Sequence, residues 1–197
     1  MSTEKKSLLF GGSFDPVHKG HVHIIKAALE LTDYERIIVM PASVSNFKQK
    51  ARGVSGQHRL AMLHLALDNI RAEGRQIIIS DYEIRKGGVS YTYDTVKAVY
   101  QLFQVKGTLG FLMGDDLIQD LDKWYHYDEL VRLVDFVCFT RLGSHPAAPA
   151  GASVRYYDIP PLVSSSSTVR QGDLDLTEDS VREYIIEHGL YGTGKDC

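Results

Sequence analysis

The sequence predicts an α/β fold: a doubly wound parallel sheet with helices on both faces, closed by a C-terminal helical segment. Three observations carry that prediction. Short apolar runs alternate with amphipathic stretches along the chain. The breaks between them are short, which favours parallel strands joined by crossover helices. A glycine turn follows the first apolar run, and such sheets bind ligands beyond the carboxyl ends of their strands, where strand order reverses.

Ser7–Phe10 is the first strand-like run, and Gly11 to His21 (GGSFDPVHKGH) turns from it into a helix. Arg36–Met40 reads as the second strand. Pro41 to Ser55 follows as a polar loop with Lys48, Lys50 and Arg52, suited to lying over a site. Leu60, Leu63, Leu67 and Ile70 then repeat at helical spacing, as do Val96, Val99 and Phe103. Gln76–Ser80, Leu109–Met113, Phe136–Thr140 and Val154–Ile159 supply the remaining strands. Gly143 to Ser153, rich in Gly, Ala and Pro, reads as a surface connection. From Thr177 an acid-rich segment with Ser180 opens like a capping box and ends at Gly189, as a helix should. The helical subregion therefore runs from about 164 to 191 within one domain spanning 1–197.

Composition narrows the function classes. At 197 residues and 44% hydrophobic, the chain can bury a substantial core. A net charge of −3, from 22 basic and 25 acidic side chains, argues against general binding to nucleic acid or anionic membranes. No apolar run is long enough to span a membrane or act as a signal h-region, and Cys138 and Cys197 make no disulfide framework. A cytoplasmic protein is expected.

Gly11 to His21 has the chemistry of a polyphosphate cradle. Gly11 and Gly12 allow close backbone approach, and a helix N-terminus offers free N–H groups and a positive dipole end. His18 and His21, at i and i+3, share one face and can donate hydrogen bonds to phosphate oxygens. With His23 they could begin a zinc site, but no Cys or HExxH pattern completes one, so no protein-held metal is expected. His23 itself reads as a surface or core-edge residue. Asp15, before Pro16, reads as structural. Asp81, Glu83 and Arg85 alternate charge after a strand, as a solvated edge does. Ser165, Ser166 and Arg170 could converge on an anion or form a helix cap beside a solvated arginine; sequence chemistry alone leaves both open. Gly189 to Lys195 matches G-x-x-x-x-G-K, but it follows a helix and has Asp196 where a hydroxyl is needed, so it is no phosphate loop.

GGSFDPVHKGH resembles the signature of the HxGH nucleotidyltransferase superfamily, with its Rossmann-like fold. The rest of the chain resembles, from end to end, the bacterial nicotinate-nucleotide adenylyltransferases. GVSYTYDT (Gly88–Thr95), MGDDL (Met113–Leu117), KWYHYDEL (Lys123–Leu130), VSSSSTVR (Val163–Arg170) and the ending IIEHGLY carry the narrower likeness. Two departures stand out: Asn46-Phe47-Lys48 replaces the family's Pro-His-Lys, and Ser164 and Ser167 replace Ile and Thr. Loss of the Ile side chain is expected to weaken local packing.

The resemblance implies adenylyl transfer from ATP to nicotinic acid mononucleotide, giving deamido-NAD and pyrophosphate. It implies catalytic roles for His18, His21 and Arg170. ATP would contact Gly11, Gly12, Ser13, Phe14, Gly114, Asp115 (at the ribose), Ser165 and Ser166. The mononucleotide would contact Lys48, Thr92 (at the carboxylate), Trp124 (stacked on the pyridine ring) and Arg141 (at the phosphate). The polar neighbours of Trp124 favour that stacking over a plain core position. Mg²⁺ would arrive with ATP, held mainly by phosphates and water. Nicotinamide mononucleotide, phosphopantetheine or a cytidylyl acceptor would be alternative substrates of the same chemistry, and an inactive nucleotide-binding regulator the alternative of another class.

Overall fold

A computed structural model describes residues 5–45, 54–70, 72–141, 145–160, 162 and 164–193. In chain order the first half comprises β1 (Ser7–Gly12), α1 (Lys19–Leu31), β2 (Arg36–Pro41), β3 (Val44–Ser45), α2 (Gly56–Leu67), β4 (Gln76–Ile79), α3 (Tyr82–Lys86), β5 (Val89–Ser90) and α4 (Thr92–Leu102). The second half comprises β6 (Leu109–Gly114), a 3₁₀ segment (Asp115–Lys123), α5 (Tyr127–Leu130), β7 (Val134–Arg141), β8 (Val154–Ile159), α6 (Ser166–Arg170) and α7 (Asp179–Glu187). Short 3₁₀ turns, Leu174–Leu176 and Leu190–Gly192, flank α7.

Six strands form one sheet in the order β4-β2-β1-β6-β7-β8, every neighbouring pair parallel. The order runs outward in both directions from β1 and β6, so the crevice between their carboxyl ends is the switch point, in the Rossmann-like manner. All six expected strands are present, several extended by a residue or two. β3 and β5 form a separate parallel pair.

Side-chain alternation explains why the sheet is covered twice. Leu8, Phe10, Ile37, Val39, Leu112, Val137 and Phe139 face a core built with Val22 and Ile25 of α1, Met62 and Leu63 of α2, and Val181 and Ile185 of α7. Leu9, Ile38, Met40, Phe111, Met113, Phe136 and Cys138 face a second core with Val96 and Val99 of α4 and with Ile118, Leu121 and Leu130. Burial pushes the Cys138 thiol up to about 12, which makes it an inert apolar side chain. Among the described residues no helix is long and apolar enough to cross a membrane.

Two local expectations are corrected. Glu83 is not part of a solvated edge: it is buried and accepts a hydrogen bond from the Thr95 hydroxyl, whereas Asp81 and Arg85 do form an exposed i,i+4 pair at 3.0 Å. The last helix starts at Asp179 with Glu178 as its cap. Thr177 donates instead to the carbonyl of Leu174, and Ser180 to that of Leu65. Gly189 does terminate α7, in the left-handed conformation.

Candidate active site

The turn after β1 is built around a buried aromatic ring. Phe14 is 1% exposed and adopts φ +45°, a region costly for a bulky side chain by about 1–3 kcal/mol. Its ring meets Phe10 edge-on at 5.2 Å and lies 4.9 Å from the His21 ring. Burying it recovers about 1.5–3 kcal/mol, enough to hold the turn in that conformation. A Cβ on Gly12 would stand 3.1 Å from this ring, whereas one on Gly11 would meet nothing within 4 Å. Gly12 therefore makes room for Phe14, and Gly11 is the member of the pair that leaves space for a ligand. The Phe14 side chain is enclosed by protein, so its contacts with a ligand are confined to the backbone.

His18 is the N-cap of α1, with a cis Asp15–Pro16 peptide just before it. Its ring lies against that of His21, centroids 3.7 Å apart and planes tilted by 35°. The backbone N–H of His18 donates to Nδ1 of His21 at 3.2 Å. That nitrogen carries a lone pair, so the proton of a neutral His21 ring sits on Nε2. His18 is 8% exposed, and burial lowers its pKa to about 4, so its imidazole is neutral at physiological pH.

The chain returns to this turn from its C-terminal third. Ser165 caps α6 by accepting the Thr168 N–H at 3.1 Å, and Ser166 donates to the carbonyl of Pro16 at 2.9 Å. Arg170 donates to the carbonyl of Asp15 at 2.6 Å and to the Ser167 hydroxyl at 3.1 Å. Two of its five N–H donors are so engaged, and the guanidinium is fixed beside the turn with donors to spare. Ser164 does not simply leave a gap where a larger side chain would pack. Its hydroxyl lies 2.7 Å from Nδ1 of His18.

Two supporting residues escaped the sequence reading. Arg59, on the buried face of α2, donates to the carbonyls of Ser13 at 2.6 Å, Ala42 at 2.7 Å and Ser43 at 3.1 Å, tying the turn after β1 to that after β2. Burial lowers its pKa, and the charge of Asp15 opposes that shift. Tyr191 donates to the Asp15 carboxylate at 2.7 Å, and burial raises its phenol pKa. A cation on an apolar helical face was the one signal for Arg59. Tyr191 had none beyond its place in the IIEHGLY ending.

A second cluster lies beyond β5 and β6. Gly114 ends β6 and Asp115, half-buried, opens the 3₁₀ segment. Thr92 starts α4, and Trp124, 9% exposed, packs edge-on against Phe111 at 5.8 Å. Their neighbours join the two segments: Tyr91 and Tyr125 rings are 4.8 Å apart, and Tyr93 and His126 rings 4.7 Å. This aromatic group was legible only as scattered tyrosines. Arg141 ends β7 at the carboxyl edge of the sheet. Lys48 lies outside the described residues, as do Lys50 and Arg52. Among the described residues no group of three or more His, Cys, Asp or Glu side chains is arranged to hold a metal ion.

Comparison with known proteins agrees with this geometry. The Cytidylyltransferase-like family pattern matches residues 9–172. The chain is 33% identical over 193 residues to the nicotinate-nucleotide adenylyltransferase of Bacillus subtilis, covering 95% of this chain and 98% of that one. Its fold is similar to that of Plasmodium falciparum nicotinic acid mononucleotide adenylyltransferase complexed with NaAD, at a TM-score of 0.79 and 24% identity, covering 96% and 98% of the two chains. The same Plasmodium protein complexed with APC gives 0.77 and 23% over the same shares. With identity at this level across nearly its whole length, the chain belongs to the nicotinate-nucleotide adenylyltransferase family.

Proposed function

We propose that this protein transfers the adenylyl group of ATP to nicotinic acid mononucleotide, forming nicotinic acid adenine dinucleotide and pyrophosphate in NAD biosynthesis. Residues 1–197 act as one nucleotidyltransferase domain in the cytoplasm. The observation that carries this reading is the close imidazole pair at the carboxyl end of β1, with Arg170 docked against the same turn. No nucleophilic side chain is needed. An oxygen of the mononucleotide phosphate, already ionised, attacks the α-phosphorus in line; the bond to the bridging oxygen breaks, and pyrophosphate leaves with the electron pair. Catalysis is then orientation, which can supply ~7–11 kcal/mol, together with stabilisation of developing charge.

In this reading His18 and His21 hold the α- and β-phosphates through imidazole N–H groups, with Gly11, Gly12, Ser13 and Phe14 supplying backbone. Arg170, Ser165 and Ser166 hold the departing pyrophosphate, and Gly114 and Asp115 the adenosine. Thr92, Trp124, Arg141 and Lys48 receive the mononucleotide. Mg²⁺ would accompany ATP, held mainly by phosphates and water, and would supply neutralisation of phosphate charge there. The relatives' name favours nicotinate over nicotinamide mononucleotide, phosphopantetheine or a cytidylyl acceptor.

Pyrophosphate release with ATP should give its highest kcat/KM with nicotinic acid mononucleotide among those acceptors; equal or better turnover with another would sink the assignment. Trp124→Phe keeps the core filled while shrinking the aromatic face. It is expected to raise KM for the mononucleotide several-fold more than KM for ATP, and equal changes in both would argue against ring stacking. Gly20→Ala separates chemistry from stability. A Cβ there would sit 3.0 Å from the His18 ring, crowding it, and 3.4 Å from the Ser164 side chain. Alanine in a helix gains about 0.5–1 kcal/mol over glycine, so melting should hold or rise. Meanwhile kcat should fall about tenfold or more through misplacement of the ring. A variant with unchanged kcat would contradict this.

A further inference from the structure

Ser164 makes two hydrogen bonds beside the His18 ring. Its Oγ lies 3.3 Å from the backbone nitrogen of Gly20 and 2.7 Å from Nδ1 of His18. The Gly20 N–H can only donate, so it takes up a lone pair of the hydroxyl oxygen. The hydroxyl keeps its proton and a second lone pair, and the choice between them is made at His18, whose side chain accepts from the backbone N–H of His21 in a capping box and so presents a lone pair. We infer that Ser164 is a positioning residue that donates to Nδ1 of His18 and holds this ring as the Nε2–H tautomer. Its consequence for catalysis rests on the adenylyl-transfer reading above. Nε2–H becomes the ring's one donor, matching the tautomer that the His18 backbone N–H imposes on His21. The adjacent rings then present two like donors to a polyphosphate. Burial keeps His18 neutral, and only a neutral ring has a tautomer to be chosen. Gly20 serves the arrangement twice, by donating its N–H and by lacking a Cβ that would crowd the His18 ring.

Long-range ¹H–¹⁵N NMR of the histidine rings tests this without reference to turnover. In the wild type, Nδ1 of His18 should carry no proton and Nε2 should carry one. Ser164→Val and Ser164→Thr match each other in shape and differ in the hydroxyl. The valine variant should show a measurable Nδ1–H population and a kcat reduced about 10- to 100-fold, with a smaller change in KM for ATP. The threonine variant should return both readouts toward wild type. A proton on Nδ1 in the wild type overturns the inference, as do identical ring signals in the valine and threonine variants. A tautomer shift with unchanged kcat overturns the positioning role. Wild-type protein that shows the expected tautomer but no pyrophosphate release would instead remove the adenylyl-transfer reading.

Discussion

Replacing His18 with alanine is expected to lower kcat for pyrophosphate release about 10²- to 10³-fold, the usual loss when one preorganised donor to a charge-bearing oxygen is removed. The fold should survive, because the ring lies against His21 and is not a member of either apolar core. A second effect of the same substitution concerns acid. In the unfolded chain His18 protonates near its ordinary value of 6.5, whereas in the folded protein burial delays protonation to about 4. Between those values the unfolded state binds the extra proton, so stability falls as pH drops from 6.5 toward about 4. The full difference is about 3 kcal/mol. His18→Ala should therefore flatten the dependence of Tm on pH across this window while abolishing most turnover. Equal slopes for variant and wild type, measured by calorimetry, would contradict the burial argument; near-normal turnover would contradict the catalytic one.

Arg59→Met should produce the largest loss of stability among the site-supporting residues. Methionine preserves the aliphatic stem but leaves the carbonyls of Ser13, Ala42 and Ser43 without their donor. Each orphaned carbonyl costs about 1–3 kcal/mol when dry. All three residues are only half-buried and water can reach them in part, so about 3 kcal/mol for the set is the reasonable figure, or a Tm lower by about 6–12 °C. Because Ser13 belongs to the turn after β1 that we propose cradles the ATP phosphates, KM for ATP should rise as well. A Tm unchanged from wild type would mean that water replaces the guanidinium at no cost.

The sheet was legible because its strands are buried on both faces, which makes each a short unbroken apolar run such as Leu8-Leu9-Phe10. Phosphate chemistry was legible because glycines, imidazoles and a helix start fall within eleven contiguous residues. What escaped depends on partners distant in sequence. Glu83 looked solvated because its neighbours alternate in charge, yet its partner is Thr95 on another helix. Arg59 sits among leucines, and its purpose appears only once two strand ends lie beside it. Phe14 carries no local sign of its left-handed backbone, which burial against Phe10 and His21 stabilises. Ser164 read as a lost side chain because its partner lies 146 positions away.

That separation governs when the enzyme can first work during its synthesis. Ser164 reaches back 146 residues to His18, and Tyr191 reaches back 176 to Asp15. A ribosome that has released every strand of the sheet has still delivered a turn whose histidine lacks its serine and whose aspartate lacks its tyrosine. Growing chains can thus close the face packed by α4 early, as domains folding from the N-terminus do, while the opposite face waits for Val181 and Ile185 of α7. Competence to spend ATP and closure of the second apolar face therefore arrive together with the last helix.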